Sequence, residues 1–244
     1  MAKVFQVNTA SGGTLLTSLA DFFKLDESSG NRTGFYVGTV LTDNNTVGAT
    51  TGILSNAADL VLLNLEYLSL ADGSIFNGTN DFSVSFWIKS TSIVSSTVCS
   101  NDVNTKGWEI KFNQVSGKLT LYLNDGTNFR QFRCTTSVNG GSYTHCVVTR
   151  SGQGINWYIN NGSAEATDVG SSGTIGDLTH TNPFAIGNDQ GATYLTAAID
   201  EFGFWNKVLS ADEITDLYNS GNGNTMIDSV NSGFLTFMGP QPQQ

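Results

Sequence analysis

Residues 82–89, FSVSFWIK, place Phe82, Val84, Phe86 and Ile88 on one side of an extended chain and Ser83, Ser85, Trp87 and Lys89 on the other. A repeat of two is that of a half-buried strand, whereas a helix would bring apolar residues round every three or four positions. KLTLYLND at 118–125 repeats the pattern with Leu119, Leu121 and Leu123, then turns at Asn124-Asp125-Gly126. YTHCVVTR at 143–150, INWYINNG at 155–162, PFAIG at 183–187 and AAIDEFGFW at 197–205 continue the series. Asn161-Gly162 reads as a hairpin turn. Turn signals recur roughly every 8–12 residues, the spacing of an all-β sandwich or jelly roll. A chain of 244 residues fits one such domain.

One helix is legible. Ser210 is a good N-cap, Glu213 completes a capping box, and Leu209 with Ile214 can form a hydrophobic staple. Ile214, Leu217 and Tyr218 share a face, and Gly221 sits where a left-handed terminal residue is wanted. The stripe is expected to pack on the sandwich. Residues 1–18 and 223–244 read as arms flanking a domain at 19–222, with Val4, Phe5, Val7, Phe234, Leu235, Phe237 and Met238 as their apolar docking residues.

Charge excludes some classes. The formal net charge is −10, with only 13% charged residues against a usual ~25%. No cluster of Lys and Arg exists for phosphates, so no nucleic-acid partner is expected. The most apolar run, LVLLNLEYLSL, is short and interrupted by Asn64 and Glu66, so no membrane span is expected. The N-terminus lacks the apolar stretch of a secretory signal. Of three cysteines, Cys134 and Cys146 lie equidistant from the NGG at 139–141, so a tight hairpin there would set them opposite each other. A disulfide or two ordinary buried thiols are the alternatives, and an unsecreted chain favours thiols.

Four stretches resemble the laminin-G-like jelly rolls of the concanavalin A-like superfamily found in bacterial and phage proteins. They are LADFFKLDESSGN, NDFSVSFWIKSTS, YTHCVVTRSGQGINWYINNG and PFAIGNDQ followed by AAIDEFGFWNKVLSADEITDLYNSG. The resemblance implies a two-sheet antiparallel sandwich acting in adhesion or glycan binding, sometimes with one structural calcium ion and otherwise no cofactor.

Hydrolysis needs two carboxylates sharing a sugar. The Glu-x-Asp-x-x-Glu string of the superfamily's glucanases is absent, and Asp200 and Glu201, adjacent on a strand, point to opposite faces. No catalytic residue is assigned. The two histidines are far apart; His145, inside an apolar strand, reads as a core residue. By alternation Asp200 joins the face of Phe202 and Phe204, where a carboxylate must be paired, hydrogen-bonded or metal-bound. It accepts amides from a nearby loop or, as the resemblance suggests, serves as the first metal candidate, with Asp189 in GNDQG second. Trp87, Tyr122 and Trp157 fall opposite the clearest apolar rows and are the glycan-binding candidates.

The expected function is a non-enzymatic binding or structural protein. The leading form is a phage virion component, made in the host cytoplasm. It would decorate a capsid or form part of a tail or fibre, docked through its arms on coat or tail subunits. It would be a homo-oligomer or lattice-bound, with a host-surface glycan as a further partner. A free glycan- or protein-binding module is the alternative, with a glycoside hydrolase behind it.

Overall fold

The computed structural model describes residues 12–224 and 226, apart from 79–80, 93, 103–105, 114–115, 190 and 192. Sixteen strands form the framework of the described residues. The first six are β1 (Leu19–Phe23), β2 (Arg32–Thr33), β3 (Val40–Asn44), β4 (Gly48–Thr51), β5 (Asn56–Leu60) and β6 (Tyr67–Leu70). Then come β7 (Phe82–Lys89), β8 (Ser96–Ser100), β9 (Gly107–Asn113), β10 (Lys118–Asn124) and β11 (Phe129–Arg133). The last are β12 (Thr144–Ser151), β13 (Gly154–Ile159), β14 (Thr167–Ser171), β15 (Phe184–Ile186) and β16 (Ala197–Trp205). A helical turn, α1 (Gly12–Leu15), precedes them and a helix, α2 (Ala211–Tyr218), follows.

Two antiparallel sheets result. One has seven strands in the order β13-β12-β7-β16-β5-β4, with β1 also paired to β16; the other has nine, β14-β11-β10-β9-β8-β15-β6-β3-β2. The alternation seen in the sequence sets the layer between them: Phe82, Val84, Phe86 and Ile88 of β7 meet Leu119, Leu121 and Leu123 of β10 in one buried cluster. Phe204 stacks on Phe82 at 5.5 Å and on Trp108 at 5.6 Å, so rings from β16, β7 and β9 tie the two sheets together. The sandwich expected from the turn spacing is the fold observed.

The opposite face of the seven-stranded sheet is also covered. Val147 of β12, Phe22 of β1 and Trp205 of β16 lie under Leu209, Ile214 and Leu217 at α2, together with Leu15 and Met226. Ser210 Oγ accepts from the Glu213 amide, and the Glu213 carboxylate accepts from the Ser210 amide, closing the box. The left-handed cap is Asn219 (φ 43°) rather than Gly221, because an asparagine side chain tolerates that region and here donates to the Gly223 carbonyl. Leu15 and Met226, both fully buried, carry the packed unit beyond the 19–222 boundaries drawn from sequence. The docking residues Val4, Phe5, Val7, Phe234, Leu235, Phe237 and Met238 lie outside the described residues. Among the described residues no helix is long and apolar enough to cross a membrane.

Candidate functional site

The acidic pair in AIDEFGFW is neither a shared site nor an alternating one. Between Asp200 and Gly203 on β16 the opposing strand advances only from Trp87 to Ser85, so one residue is extra. Glu201, at φ 50°, takes that place as a β-bulge. The bulge falls where β16 exchanges one edge partner, β5 at 197–199, for another, β1 at 202–205. It also reverses the parity read from sequence. Asp200 lies in register with Trp87 on the outer face, not on the core face of Phe202 and Phe204. Its carboxylate accepts the amides of Ile53 (2.7 Å), Leu54 (3.4 Å) and Glu201 (2.9 Å), fixing the β4–β5 turn. Burial still pushes it up to about 7. Burial, reinforced by Asp200 and Asp26, pushes Glu201 up to about 9, and Glu201 Oε2 has no hydrogen-bond partner.

Asp189 is likewise engaged, accepting the amides of Gly191 (2.9 Å) and Thr193 (3.3 Å) within its own turn. Among the described residues no group of three or more His, Cys, Asp or Glu is placed to hold a metal ion. Calcium takes six to eight oxygens, and these donors, largely taken up by amides, do not fit a cage on either aspartate.

Two of the three aromatic candidates are in the wrong place for a sugar. Trp87 does point away from the core, but Tyr218 of α2 stacks on it at 5.8 Å and leaves it 2% exposed. Trp157 shares the inward row of Ile155 and Ile159, and its Nε1 donates across the sandwich to the Phe132 carbonyl at 3.0 Å. His145, next to Trp87, is buried with Nε2 2.9 Å from Ser85 Oγ, and burial lowers its pKa to about 3. Cys134 and Cys146 are free and buried. They do not face each other in a hairpin, since Cys146 belongs to β12 of the seven-stranded sheet while Cys134 follows β11 of the nine-stranded one.

Tyr122 is where the sequence placed it, on the outer face of the nine-stranded sheet. Its surroundings follow from the ladder registers. One row across the strands reads Thr97, Lys111, Thr120, Arg133; the next reads Ser100, Glu109, Tyr122, Gln131. Cross-strand neighbours share a face, so these side chains form one patch. Thr97, Lys111, Thr120, Tyr122, Gln131 and Arg133 of these rows floor a cavity of about 330 Å³, walled by Thr193 from the turn after β15, while Ser100 and Glu109 lie buried outside its lining. Thr193 Oγ1 reaches Thr97 Oγ1 at 2.8 Å. The second row continues past that turn through Ala185 and Ser69 to Thr42, where another cavity of about 330 Å³ is lined by Tyr67 and Tyr194.

The chemistry of the patch is polar with one aromatic face. Lys111 Nζ lies 2.8 Å from Glu109 Oε2 and 5.4 Å from the Tyr122 ring centre. Burial holds the Glu109 carboxyl above its ordinary range, opposed by Lys111 and by the Thr97 hydroxyl. Arg133 Nε donates to Thr120 Oγ1 at 3.1 Å. The sequence offered no signal for Lys111, Gln131 and Arg133 as a set, because only the strand order makes them neighbours.

Known proteins share this architecture. The binding domain of Paraclostridial Mosquitocidal Protein 1 aligns with a TM-score of 0.66 at 17% identity, covering 85% of this chain and 53% of that one. Domain 4 of AbnA, a GH43 extracellular arabinanase from Geobacillus stearothermophilus, in complex with arabinotriose, aligns with 0.63 at 20% identity, covering 82% and 97%. The binding domain of botulinum neurotoxin DC in complex with SialylT aligns with 0.63 at 14% identity, covering 84% and 52%. In sequence, botulinum neurotoxin type X of Clostridium botulinum is 26% identical over 153 residues, which is 59% of this chain but only 11% of the toxin. The chain thus spans about a tenth of that curated relative. Residues 64–215, more than half of the chain, match the family described as the concanavalin A-like lectin/glucanases superfamily, and the chain belongs to it.

Proposed function

We propose that this protein is a non-catalytic glycan-binding module that presents the outer face of its nine-stranded sheet. The observation that carries the reading is the Tyr122 cavity. An aromatic face, hydroxyls at Thr97 and Thr120, the Gln131 amide and two cations line one groove, the mixture that binds a sugar's apolar face and its hydroxyls together. The rows hold one carboxylate, Glu109, tied to Lys111 and Thr97, whereas glycoside hydrolysis calls for two. The arabinotriose and SialylT complexes of proteins with this fold support the ligand class.

A glycan array probed with the full chain tests this. Tyr122→Ala should weaken any hit by about 10-fold or more, since a lost aromatic stack is worth on the order of 1–2 kcal/mol. Unchanged binding in Tyr122→Ala would place the site elsewhere, and a blank array with folded protein would reject it.

The roots of both terminal segments support a display arrangement. Leu15 and Met226 sit together on the outer face of the other sheet, so these two described residues near the chain ends lie on the face opposite the groove. We assign the attachment to a phage particle, through residues 1–11 and 227–244 on coat or tail subunits, on the strength of the acidic, weakly charged surface and the apolar patches of those segments. The full chain should bind purified particles, and residues 12–226 alone should bind at least 10-fold more weakly. Equal binding of the two would remove the arms from the docking role.

A further inference from the structure

Resting on the glycan reading, we infer that the Tyr122 groove selects sugars bearing a carboxylate, with Arg133 as the residue that recognises the charge.

Half of the ten described cations are paired, and of the five that are not, Arg133 alone lines the groove. Lys106, Lys111 and Lys207 pair with Asp177, Glu109 and Glu213, and Arg32 lies beside Glu27. Arg130, on the same strand as Arg133, reaches Asp168 and donates to the Gln153 carbonyl at 2.8 Å. Arg133 is different. It lines the cavity half-buried and spends Nε on Thr120 Oγ1, and among the described residues it forms no ion pair with a carboxylate.

The charge balance of the groove then favours an anion. Lys111 and Glu109 cancel each other at 2.8 Å, so Arg133 is the net charge of the two rows. A guanidinium is always protonated, and with Nε occupied its two terminal nitrogens remain as a planar donor pair. That geometry matches the two oxygens of a carboxylate. Register puts Arg133 beside Thr120, and Tyr122 lies two residues along the same strand on the same face. A pyranose ring stacked on Tyr122 can therefore direct a ring carboxylate to Arg133 while Gln131 and Thr120 serve its hydroxyls. One unpaired cation among neutral donors suits one negative charge per sugar. A polysulfated chain would find no second unpaired cation in the lining, Lys111 being paired to Glu109.

The full chain should be titrated calorimetrically with an oligogalacturonate and with sialyllactose. Their methyl esters serve as size-matched neutral probes, and a sulfated lactose as the sulfate probe. The expected result is binding of at least one carboxylate sugar about 10- to 100-fold more tightly than its ester, the range of a lost charge-assisted pair. Arg133→Gln should bring the acid-over-ester affinity ratio to near one and melt like wild type, while Arg133→Lys should restore part of the ratio. Acid and ester binding equally, the sulfate probe outranking both acids, or Arg133→Gln weakening acid and ester alike would each overturn the inference while leaving glycan binding intact. No binding of any saccharide by folded wild-type protein would reject the glycan reading itself, and this inference with it.

Discussion

Trp205→Ala is expected to lower stability by about 3–5 kcal/mol, the usual cost of deleting a buried tryptophan. For a domain of this size that corresponds to a melting point lower by roughly 10 °C. The effect is large because the ring joins four parts of the chain. It is fully buried, meets Phe22 of β1 edge-on at 6.3 Å, and packs with Ile214 and Leu217 under α2. Its Nε1 donates to the Leu15 carbonyl, holding the segment before β1. It also lies over Gly203, where an added Cβ would come within 2.4 Å of the indole, so this site is filled to the glycine backbone. Trp205→Phe should recover much of the packing but not the bond to Leu15. Thermal melts combined with hydrogen exchange distinguish the two terms: both variants should lose protection around residues 14–19, and the alanine variant should also lose global stability. A Trp205→Ala melt within about 2 °C of wild type would show that α2 and its underlying face lie outside the cooperative unit.

Raising the pH from 5 to 9 should destabilise the protein, and Glu201→Gln should remove much of that loss. Asp200 and Glu201 sit in the folded chain with carboxyls pushed up to about 7 and about 9, and Asp26 is raised in the same direction, burial being the first cause in each case. A carboxyl whose folded value is raised binds its proton more tightly in the native state than in the unfolded one. The stabilisation it contributes is complete below the unfolded value, near 4, and is lost as the pH climbs through the folded value. The window is therefore about pH 4 to 9, opposite to the acid lability of a salt-bridged carboxylate. A loss of roughly 2–4 kcal/mol across it is expected, given 1.36 kcal/mol per unit and allowing for relaxation of a coupled pair. General repulsion in a chain of net charge −10 also grows with pH, so the difference between wild type and Glu201→Gln is the quantity to read. Melts at pH 5, 7 and 9 should converge for Glu201→Gln relative to wild type. Parallel slopes would show that Glu201 is ionised and compensated. Repeating the pH 8 melt with EDTA addresses calcium: the midpoint should stay unchanged, and a fall would show that a bound cation stabilises the fold, because a bound ligand raises the midpoint and its removal lowers it.

Much of the fold was readable because its signals are local. FSVSFWIK and KLTLYLND alternate with one residue per pleat, and Ser210 with Glu213 announces a helix start within four residues. Those elements stand in the structure at Phe82–Lys89, Lys118–Asn124 and Ala211–Tyr218. The candidate site was readable only at Tyr122. The errors have physical causes. Glu201 enters a left-handed bulge that no alternation pattern reports, so every face assigned to Asp200 by counting from Phe202 was inverted. Trp157 has the parity of Ile155 and Ile159, so its row is the apolar one and faces inward, where its ring fits the space between the sheets and its N–H finds the Phe132 carbonyl.

The sequence by itself therefore determined the strands β7, β10, β12, β13, β15 and β16, the capped helix and the family, since each depends on residues a few positions apart. It also determined that Trp87 and Tyr122 both point away from the core. Only the tertiary structure decided what becomes of such outward faces. One is roofed by α2 and closed over Trp87; the other is left open, with β8 to β11 aligned so that Lys111, Thr120, Tyr122, Gln131 and Arg133 meet in one groove. Strand order and long-range packing make that choice, and alternation within a single strand carries no information about either.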